Sequence, residues 1–214
     1  MYKRLDRDAL AAIMEAGIDE FARCGFQPAS ISAVARAAGV SVGVVYKYFG
    51  DKDAFFLSCV RHSLELLDTT LQAAIGGGTD TEDCIRRLVE ALQQQSRAHA
   101  AYNVMYNEIT SGSCRRFAPM LAREIEQRTA EAYTALFARA QAEGLMRTDI
   151  APSSFAFFFD NLLMMLQFSY SCTYYQQRMA LFCGSEDTRD DRRIAEEMTR
   201  FILSAMKGAG PCST

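Results

Sequence analysis

The amino-acid sequence predicts an all-α fold in which three short N-terminal helices precede a larger set of helices. Gly and Pro are scarce, at 13 and 4 of 214 residues. Apolar residues recur with helical spacing, and no segment alternates as a strand does. Half of the residues are hydrophobic and 23% are charged, so the chain can build a buried core and lacks the composition of a disordered protein. Its length allows one large domain or two small ones.

About nine helices are predicted from apolar spacing and from residues that begin or end helices. In the first, Ile13, Gly17 and Phe21 share one face, and Gly25 ends the helix. The approximate bounds, in order, are 6–24, 31–38, 42–49, 52–75, 81–95, 98–109, 117–143, 152–183 and 190–207.

Short polar residues precede the next three helices. Ser30, Ser41 and Asp51 can each accept a hydrogen bond from a free N–H group at the start of the helix that follows. Gly39 and Gly50 are well placed to end the second and third helices.

The fourth predicted helix, 52–75, contains neither Gly nor Pro. At 1.5 Å per residue it is on the order of 36 Å long, which is enough to bridge two domains. Three consecutive glycines, 76–78, follow it as a flexible linker. The sequence therefore predicts a small N-terminal domain, 1–51, and a larger C-terminal domain, 52–214.

Two C-terminal segments are more apolar than one exposed helix face allows. Residues 155–183 hold nine aromatic side chains and two charged ones, Asp160 and Arg178, and their many polar residues argue against a membrane span. We expect both segments to pack in a core or to form a dimer interface as a four-helix bundle from two copies. The second segment is the last predicted helix, whose apolar stripe consists of Ile194, Met198, Phe201, Ile202 and Met206.

The cysteines and histidines form no recognisable metal-binding or redox motif. Seven cysteines lie at least eleven positions apart, and only two histidines are present. We predict reduced thiols that pack as small apolar residues, no metal and no cofactor. Free thiols and an N-terminus without the apolar run of a secretory signal predict a cytoplasmic protein with no membrane partner. The cysteines are Cys24, Cys59, Cys84, Cys114, Cys172, Cys183 and Cys212.

Sequence motifs of common enzyme classes are also missing. No GxSxG, HExxH or glycine-rich phosphate loop is present, and the glycines at 76–78 lack the Lys and Ser or Thr of a P-loop. An enzyme is therefore not the predicted class.

Residues 30–52, SISAVARAAGVSVGVVYKYFGDK, are the most informative segment. Two short helices joined by the turn 39–41 match a helix-turn-helix, in which small residues let the helices cross closely. Val45 and Phe49 of the second helix are expected to point inward. The opposite side of this helix carries Val42, Gly43, Tyr46 and Lys47.

Charge supports nucleic-acid binding only locally. The net charge of −3 argues against nonspecific binding of polyanions. Residues 1–53, however, contain seven basic and seven acidic residues, so the excess of acid lies outside them. Residues 30–50 contain Arg36 and Lys47 and no acid. Lys52 follows in the first turn of the fourth helix, where free N–H groups favour a phosphate.

The segment resembles the N-terminal signature of TetR-family transcriptional regulators, commonly IAxxAGVSxGxxYxYFxxKxxL. The resemblance covers roughly 9–57, a quarter of the chain, and the size and helix count also fit the family. Phe55 stands where the family usually has Leu, a difference that affects packing more than DNA contact. The matching residues are Ala35 to Ser41, Gly43, Val45 to Phe49 and Lys52.

By position, the resemblance implies a set of DNA contacts. Ser30 and Lys52 would lie at phosphates, and valine methyl groups suit contacts with thymine methyl groups. The helix has no Arg or Asn to read a base edge, so we expect weak direct readout per half-site. Gly43 would let the helix backbone approach DNA closely, or it is a small residue at a crowded position. The residues expected to face the operator are Ser41, Val42, Gly43, Tyr46, Lys47 and Tyr48.

The resemblance further implies a ligand-responsive homodimer, commonly a repressor, that binds a palindromic double-stranded DNA operator. Two recognition helices on a palindrome lie about 34 to 36 Å apart, or a multiple of this distance. A small, apolar or aromatic effector in the C-terminal domain would move the fourth helix and release the operator. The alternative is a dimeric small-molecule sensor or interaction module without operator binding, which the acidic isoelectric point keeps open.

Aromatic and methionine residues with a few polar groups suggest an adaptable pocket for this effector. Two acids, Glu108 and Asp160, lie in the same otherwise apolar stretches, where each could bind a cationic ligand or pair with an arginine. The expected pocket residues are Tyr102, Met105, Tyr106, Phe117, Met120, Phe158, Asn161, Met165 and Phe168.

Overall fold

The computed structural model describes residues 5–110, 112–186 and 188–207, and over these residues the predicted all-α fold is confirmed. The described residues form ten α-helices and one short 3-10 helix, Gly112–Cys114. The α-helices are α1 (Arg7–Cys24), α2 (Ile31–Ala37), α3 (Val42–Phe49), α4 (Lys52–Gly76), α5 (Thr81–Ala98), α6 (Ala100–Glu108), α7 (Ala118–Ala142), α8 (Pro152–Ser171), α9 (Thr173–Cys183) and α10 (Asp191–Lys207).

The predicted helix 152–183 is wrong, because the structure divides it into α8 and α9, and the described residues therefore contain ten α-helices where about nine were expected. The division falls at Cys172, whose backbone is extended, with φ −102° and ψ 127°. Its N–H group still donates to the Phe168 carbonyl oxygen at 2.8 Å, and a new helix begins at the next residue. Neither Gly nor Pro marks the break, so the sequence pattern carries no signal of it.

Packing divides the chain into two compact units. The first unit contains the described residues up to Leu67 together with His99–Ala118. The second contains Asp68–Ala98 and the described residues from Pro119 onward. Helix α4 contributes residues to both units, and α6 belongs to the unit that contains the helix-turn-helix. The domain boundary placed after residue 51 stays a prediction.

Phenylalanine rings form the core of the first unit. Phe21 from α1 and Phe56 from α4 meet edge to face, with ring centroids 5.0 Å apart. Phe26, which follows α1, packs against Phe56 at 5.0 Å and against Phe117 at 5.6 Å. Because such ring pairs stabilise by about 0.5 to 1.5 kcal/mol beyond their buried area, this cluster joins the N-terminal helices to the segment before α7.

Helices α1 and α4 cross closely at Gly17. A Cβ atom at this position would overlap the Phe55 ring and lie 2.7 Å from Cys59 Sγ. Phe55 is fully buried, and its ring lies 5.8 Å from that of Phe21 and 4.9 Å from that of Phe49. The Phe55 ring therefore cannot move aside without losing these contacts, and the crossing requires a residue without a side chain.

A polar network holds the second unit together where α5 packs against α8 and α10. Gln93 Nε2 donates to the Tyr170 hydroxyl at 2.7 Å and to the Asp191 carbonyl oxygen at 2.9 Å. The Tyr170 hydroxyl donates to the Asp191 carboxylate at 2.8 Å, and Arg97 pairs with this carboxylate at 2.6 Å. Burial and the bond to Asp191 raise the pKa of Tyr170 to about 12.

The two apolar C-terminal segments are partly core and partly exposed. Their buried members include Phe155, Phe159, Phe168, Ile202 and Met206. Four phenylalanines are more than half exposed: Phe157 at 65%, Phe158 at 56%, Phe182 at 78% and Phe201 at 62%. Both α8 and α10 therefore present apolar surface. Among the described residues, no helix has the length and apolar character that crossing a membrane requires.

Six of the seven cysteines lie in the described residues, and all six are free thiols. Cys212 lies outside the described residues. Burial raises the pKa of Cys172 to about 11 and also raises the pKa of Cys59. These two thiols therefore remain protonated and pack as apolar groups. The described residues contain no group of three side chains that could hold a metal ion.

Candidate nucleic-acid interface

Helices α2 and α3 begin at capping serines and meet at a tight turn. Ser30 Oγ accepts a hydrogen bond from Ala33 N–H, and Ser41 Oγ accepts one from Val44 N–H, both at 3.3 Å. Gly39 follows α2 with φ +67°, a conformation that glycine adopts without a steric penalty. The predicted caps and turn are therefore formed by local hydrogen bonds.

Val45 fixes which face of α3 is buried. It is 1% exposed, whereas Tyr46 is 44% exposed. Gly43 and Lys47 are also exposed, and Val42 is half-buried. The helix carries one basic residue and no acid. Its outer face thus offers a hydroxyl group, an ammonium group, methyl groups and open backbone.

Packing among the residues that the structure describes does not require a glycine at position 43. A Cβ atom at this position would meet only Ser41 Oγ, at an ordinary contact distance of 3.9 Å. The position is therefore not crowded, although glycine inside a helix is about 1 kcal/mol less favourable than alanine. An approach of something outside the chain to the helix backbone would explain a glycine here.

Two residues expected at DNA also bond within the first unit. The Tyr48 hydroxyl oxygen accepts a hydrogen bond from Leu5 N–H at 2.7 Å. Lys52 Nζ donates to the Gln27 carbonyl oxygen at 2.7 Å and lies 5.3 Å from the centre of the Phe26 ring. Partial desolvation lowers the pKa of Lys52. Since an ammonium group has three donors, two remain for a phosphate.

Glu20, which the sequence patterns did not single out, holds the start of α2 in place. It is 7% exposed, and its Oε1 accepts a hydrogen bond from Ser30 N–H at 2.9 Å, while Arg23 binds its other oxygen. Burial opposes ionisation, but the bonds from Ser30 and Arg23 outweigh it and lower the pKa of Glu20. A signal was available, because position 20 lies three residues after Gly17 on the apolar face of α1.

Glu108, at the end of α6, binds the loop before the helix-turn-helix. Its Oε1 accepts hydrogen bonds from Phe26 N–H at 3.0 Å and from Ser113 Oγ at 2.9 Å. Glu108 therefore does not pair with an arginine in the described residues. Arg116 instead pairs with Asp53 in the first turn of α4, and its guanidinium lies 5.3 Å from the Phe26 ring.

Four of the nine expected pocket residues lie in the first unit. Phe117 belongs to the phenylalanine cluster, and Met105 is fully buried on α6. The Tyr102 hydroxyl donates to the Glu15 carboxylate, and burial together with this bond raises the pKa of Tyr102. Tyr106 is half-buried on α6.

The other five expected pocket residues lie in the second unit. Met120 and Phe158 are exposed, at 38% and 56%. Asn161 Nδ2 donates to the Phe157 carbonyl oxygen at 2.7 Å, so this amide is bonded within α8. Met165 is half-buried. Phe168 is buried, with its ring 5.4 Å from that of Tyr175.

Comparisons with known proteins support the assignment of α2 and α3 as a DNA-binding helix-turn-helix. The family model described as bacterial regulatory proteins, tetR family, matches residues 13–59. The HTH-type transcriptional regulator BetI of Burkholderia cenocepacia (strain HI2424) is 26% identical over 197 residues, which cover 91% of this chain and 94% of the relative.

Two solved structures show the same fold over nearly the whole chain. The fatty acid degradation regulator FadR from Bacillus halodurans has a TM-score of 0.75 at 16% identity and covers 97% of this chain and 100% of its own. AibR in complex with isovaleryl coenzyme A and operator DNA has a TM-score of 0.67 at 16% identity, with 91% and 98% covered.

The family match covers the helix-turn-helix, and the fold shared with the solved structures covers nearly the whole chain. The relatives named are regulators of transcription and not enzymes. The comparisons therefore identify residues 13–59 as a DNA-binding segment of the tetR family, and they support a ligand-responsive, DNA-binding transcriptional regulator of the TetR type over the whole chain.

Proposed function

We propose that this regulator is a repressor that binds a palindromic operator as a homodimer through α3 and dissociates when a small, apolar or aromatic effector binds. The observation that carries the proposal is the outer face of α3, which is exposed, free of acid and opened by a glycine that packing among the described residues does not need.

The roles of the interface residues follow from their chemistry. Tyr46, Lys47 and Lys52 bind phosphates and fix the register of α3 in the major groove, while Val42 contacts a thymine methyl group. The N-terminus of α3, where Ser41 caps the Val44 N–H group, binds a phosphate oxygen through the N–H groups that remain in its first turn. Because α3 has no Arg or Asn to read a base edge, two half-sites are needed for useful specificity.

The exposed phenylalanines of α8 and α10 support dimerisation. An exposed surface with large apolar side chains on two helices is typical of an oligomer interface. On α10, Ile194, Met198 and Phe201 follow the spacing i, i+4, i+7, which places them on one face. Paired across a two-fold axis, these faces of α8 and α10 form a four-helix bundle.

Helix α4 is the element through which the effector acts. It is continuous from Lys52 to Gly76 and contributes residues to both units. A shift of α4 displaces its N-terminus, where Lys52 lies, and changes the spacing of the two recognition helices. By thermodynamic linkage, operator DNA weakens effector binding by the same factor by which the effector weakens operator binding.

Gel-shift titration of the full chain with a DNA fragment from upstream of its own gene tests the proposal. Tyr46→Ala and Lys52→Ala each weaken retention about tenfold, as expected for the loss of one DNA contact. Arg139→Ala, which removes an exposed cation from α7, leaves retention unchanged. If no genomic fragment is retained, the protein is instead a small-molecule sensor or interaction module without an operator.

A further inference from the structure

The loop between α1 and α2, residues 25–29, is held by a side chain that lies far from it in the sequence. Gly25 begins this α1–α2 loop with φ +77°, and its N–H group donates to the Phe21 carbonyl oxygen at 2.8 Å, which ends α1. The Glu108 carboxylate lies against Gly25, because a Cβ atom there would be 3.3 Å from Glu108 Oε1. The end of α6 and the start of the loop are therefore in direct contact.

One oxygen atom of Glu108 makes the attachment. Glu108 Oε1 accepts hydrogen bonds from Phe26 N–H at 3.0 Å and from Ser113 Oγ at 2.9 Å. Phe26 is 2% exposed, so its N–H group depends on an acceptor within the protein. Because a buried donor without an acceptor is costly, the backbone at Phe26 would have to move if this oxygen were withdrawn.

Lys52 bonds to the residue that follows Phe26. Lys52 Nζ donates to the Gln27 carbonyl oxygen at 2.7 Å and lies 5.3 Å from the centre of the Phe26 ring. Glu108 and Lys52 thus hold adjacent residues of the same loop, one at an N–H group and the other at a carbonyl oxygen. The position of the Lys52 ammonium group depends on this carbonyl oxygen, because a long flexible side chain keeps one conformation only where a bond fixes it.

The far end of the α1–α2 loop is held from within the helix-turn-helix segment. Ser30, the cap of α2, follows the loop, and its N–H group donates to Glu20 Oε1 at 2.9 Å. Glu20 and Lys52 both lie within residues 13–59, the segment that matches the family model. Glu108 lies outside this segment, on a helix that packs against α1. Glu108 therefore adds a support that the DNA-binding segment does not supply itself.

We propose that Glu108 is a positioning residue for operator binding, which holds the α1–α2 loop so that Gln27 directs the Lys52 ammonium group toward a DNA phosphate. The inference rests on the proposed function, which assigns Lys52 to a phosphate. Glu108 acts through the loop and not through DNA, since its negative charge repels phosphates. Its contribution is the reach of its acceptor oxygen, and an amide oxygen at the same distance serves equally.

Two substitutions separate the reach of Glu108 from its charge. Glu108→Gln keeps an acceptor oxygen at the same distance, so operator affinity stays within about twofold of the wild-type value. Glu108→Asp keeps the charge but draws the carboxylate back by one methylene group, so affinity falls about fivefold, less than the roughly tenfold expected for Lys52→Ala. Fluorescence anisotropy titration of the full chain with the DNA fragment from upstream of its own gene measures both, and urea denaturation shows that each variant is folded.

A double-mutant cycle shows whether Glu108 acts through Lys52. Glu108→Asp weakens binding by the wild-type protein, but it changes the affinity of the Lys52→Ala variant by less than about twofold.

The salt dependence of binding gives a second measurement. Each phosphate contact contributes about 0.9 to the slope of the logarithm of affinity against the logarithm of salt concentration. The slope falls in Glu108→Asp and in Lys52→Ala, and it falls no further when the two are combined. A residue that only stabilised the fold would lower affinity without changing this slope.

Asn107→Ala is the matched control. It removes a polar side chain from the neighbouring position of α6 and leaves both affinity and slope unchanged. Equal effects of Glu108→Gln and Glu108→Asp, additive losses in the cycle, or a wild-type slope in Glu108→Asp would overturn the proposal.

The same titrations separate this inference from the proposed function. If the wild-type protein binds the fragment and Lys52→Ala weakens binding while Glu108→Asp does not, the positioning role fails and the regulator stands. If the wild-type protein binds no DNA fragment, the proposed function fails and the positioning role fails with it.

Discussion

The identity of Gly43 is explained by a molecule outside the chain better than by packing among the described residues. It lies inside α3, where glycine lowers helix stability, and no described residue lies near enough to exclude a side chain. Glycine persists at such positions where another molecule approaches the backbone closely.

We therefore expect Gly43→Ala to separate stability from DNA binding. The variant gains about 0.5 to 1 kcal/mol in its free energy of unfolding, because alanine favours the helix, yet it binds the operator more weakly. Urea denaturation and gel-shift titration measure the two effects. Gly76→Ala, at another open position, serves as the control and leaves operator binding intact. A stabilised Gly43→Ala variant with unchanged operator affinity would show that DNA does not approach here.

Asp160 gives a pH-dependent prediction at the same scale. Burial and the negative charge of Glu126 raise its pKa in the folded protein to about 6, above the usual 3.8. The folded state therefore holds this proton more tightly, and the resulting stability is fully present below pH 3.8 and is lost as the pH rises through about 6. Above that range the protein must keep an ionised carboxylate in a poorly solvated place beside Glu126 and Tyr133.

Asp160→Asn consequently raises the melting temperature at neutral pH, with a gain in unfolding free energy of up to about 3 kcal/mol. The gain shrinks as the pH is lowered to about 4, since the native carboxyl group is then neutral as well. Calorimetric scans across this pH range measure it. Asp149→Asn is the control, and it is expected to lower the stability at neutral pH, because the Arg147 guanidinium stabilises the ionised Asp149 carboxylate and lowers its pKa. A gain that is constant with pH would contradict this assignment.

Residue roles could be predicted from the sequence where their partners are close along the chain. The caps at Ser30 and Ser41 bind N–H groups three residues away, and the burial of Val45 follows from helix spacing. Ser30 and Phe26, whose N–H groups donate to Glu20 and Glu108, lie 10 and 82 positions from these carboxylates, and only the folded chain brings them together.

At the scale of helices, the crossing of α1 and α4 depends on a matched pair of residues. Gly17 supplies the space that the ring of Phe55 fills, where the family usually has Leu. Gly17→Ala therefore destabilises the protein by about 1 to 3 kcal/mol, the usual effect of overpacking a core.

A double-mutant cycle tests this pairing. Combining Gly17→Ala with Phe55→Leu recovers part of the lost stability, because the smaller side chain clears the ring overlap. Recovery is incomplete, since Cys59 Sγ still lies 2.7 Å from the added Cβ atom. Unfolding free energies of the two single variants and the double variant give the coupling energy. Strict additivity of the two effects would refute the pairing.

Most helix bounds could be predicted because periodicity and capping residues act locally. The break at Cys172 could not, since its extended backbone has no glycine or proline to announce it. Apolar residues keep their helical spacing on both sides of such a break. This spacing depends on which residues are buried, and it does not show where one helix ends and the next begins.

For the whole molecule, the proposed dimer is the property on which operator binding depends. Phe201→Glu places a charge in the apolar face of α10, where Phe201 is 62% exposed, and we expect it to give monomers and to weaken operator binding strongly. Analytical ultracentrifugation and gel shifts measure the two effects. Leu145→Glu, at an exposed leucine outside α8 and α10, leaves both unchanged. A dimeric Phe201→Glu protein would exclude this face as the interface.

The identity of the molecule could be predicted from a quarter of its sequence, whereas its effector could not. The DNA-binding segment is short, and its residues act close to where they stand in the chain. The net charge of the whole chain argued against DNA binding, which was wrong for the helix-turn-helix because the excess of acidic residues lies outside residues 1–53. A pocket depends on side chains from several helices, and the nine expected pocket residues are divided between two units.

The contact between Gly17 and Phe55 also limits how this core can be redesigned. With phenylalanine at position 55, a side chain at position 17 overlaps the ring. With glycine at position 17, a smaller residue at position 55 leaves unfilled space at the crossing. A library of variants that changes the two positions one at a time would therefore miss the combinations that fold, and positions 17 and 55 have to be varied together.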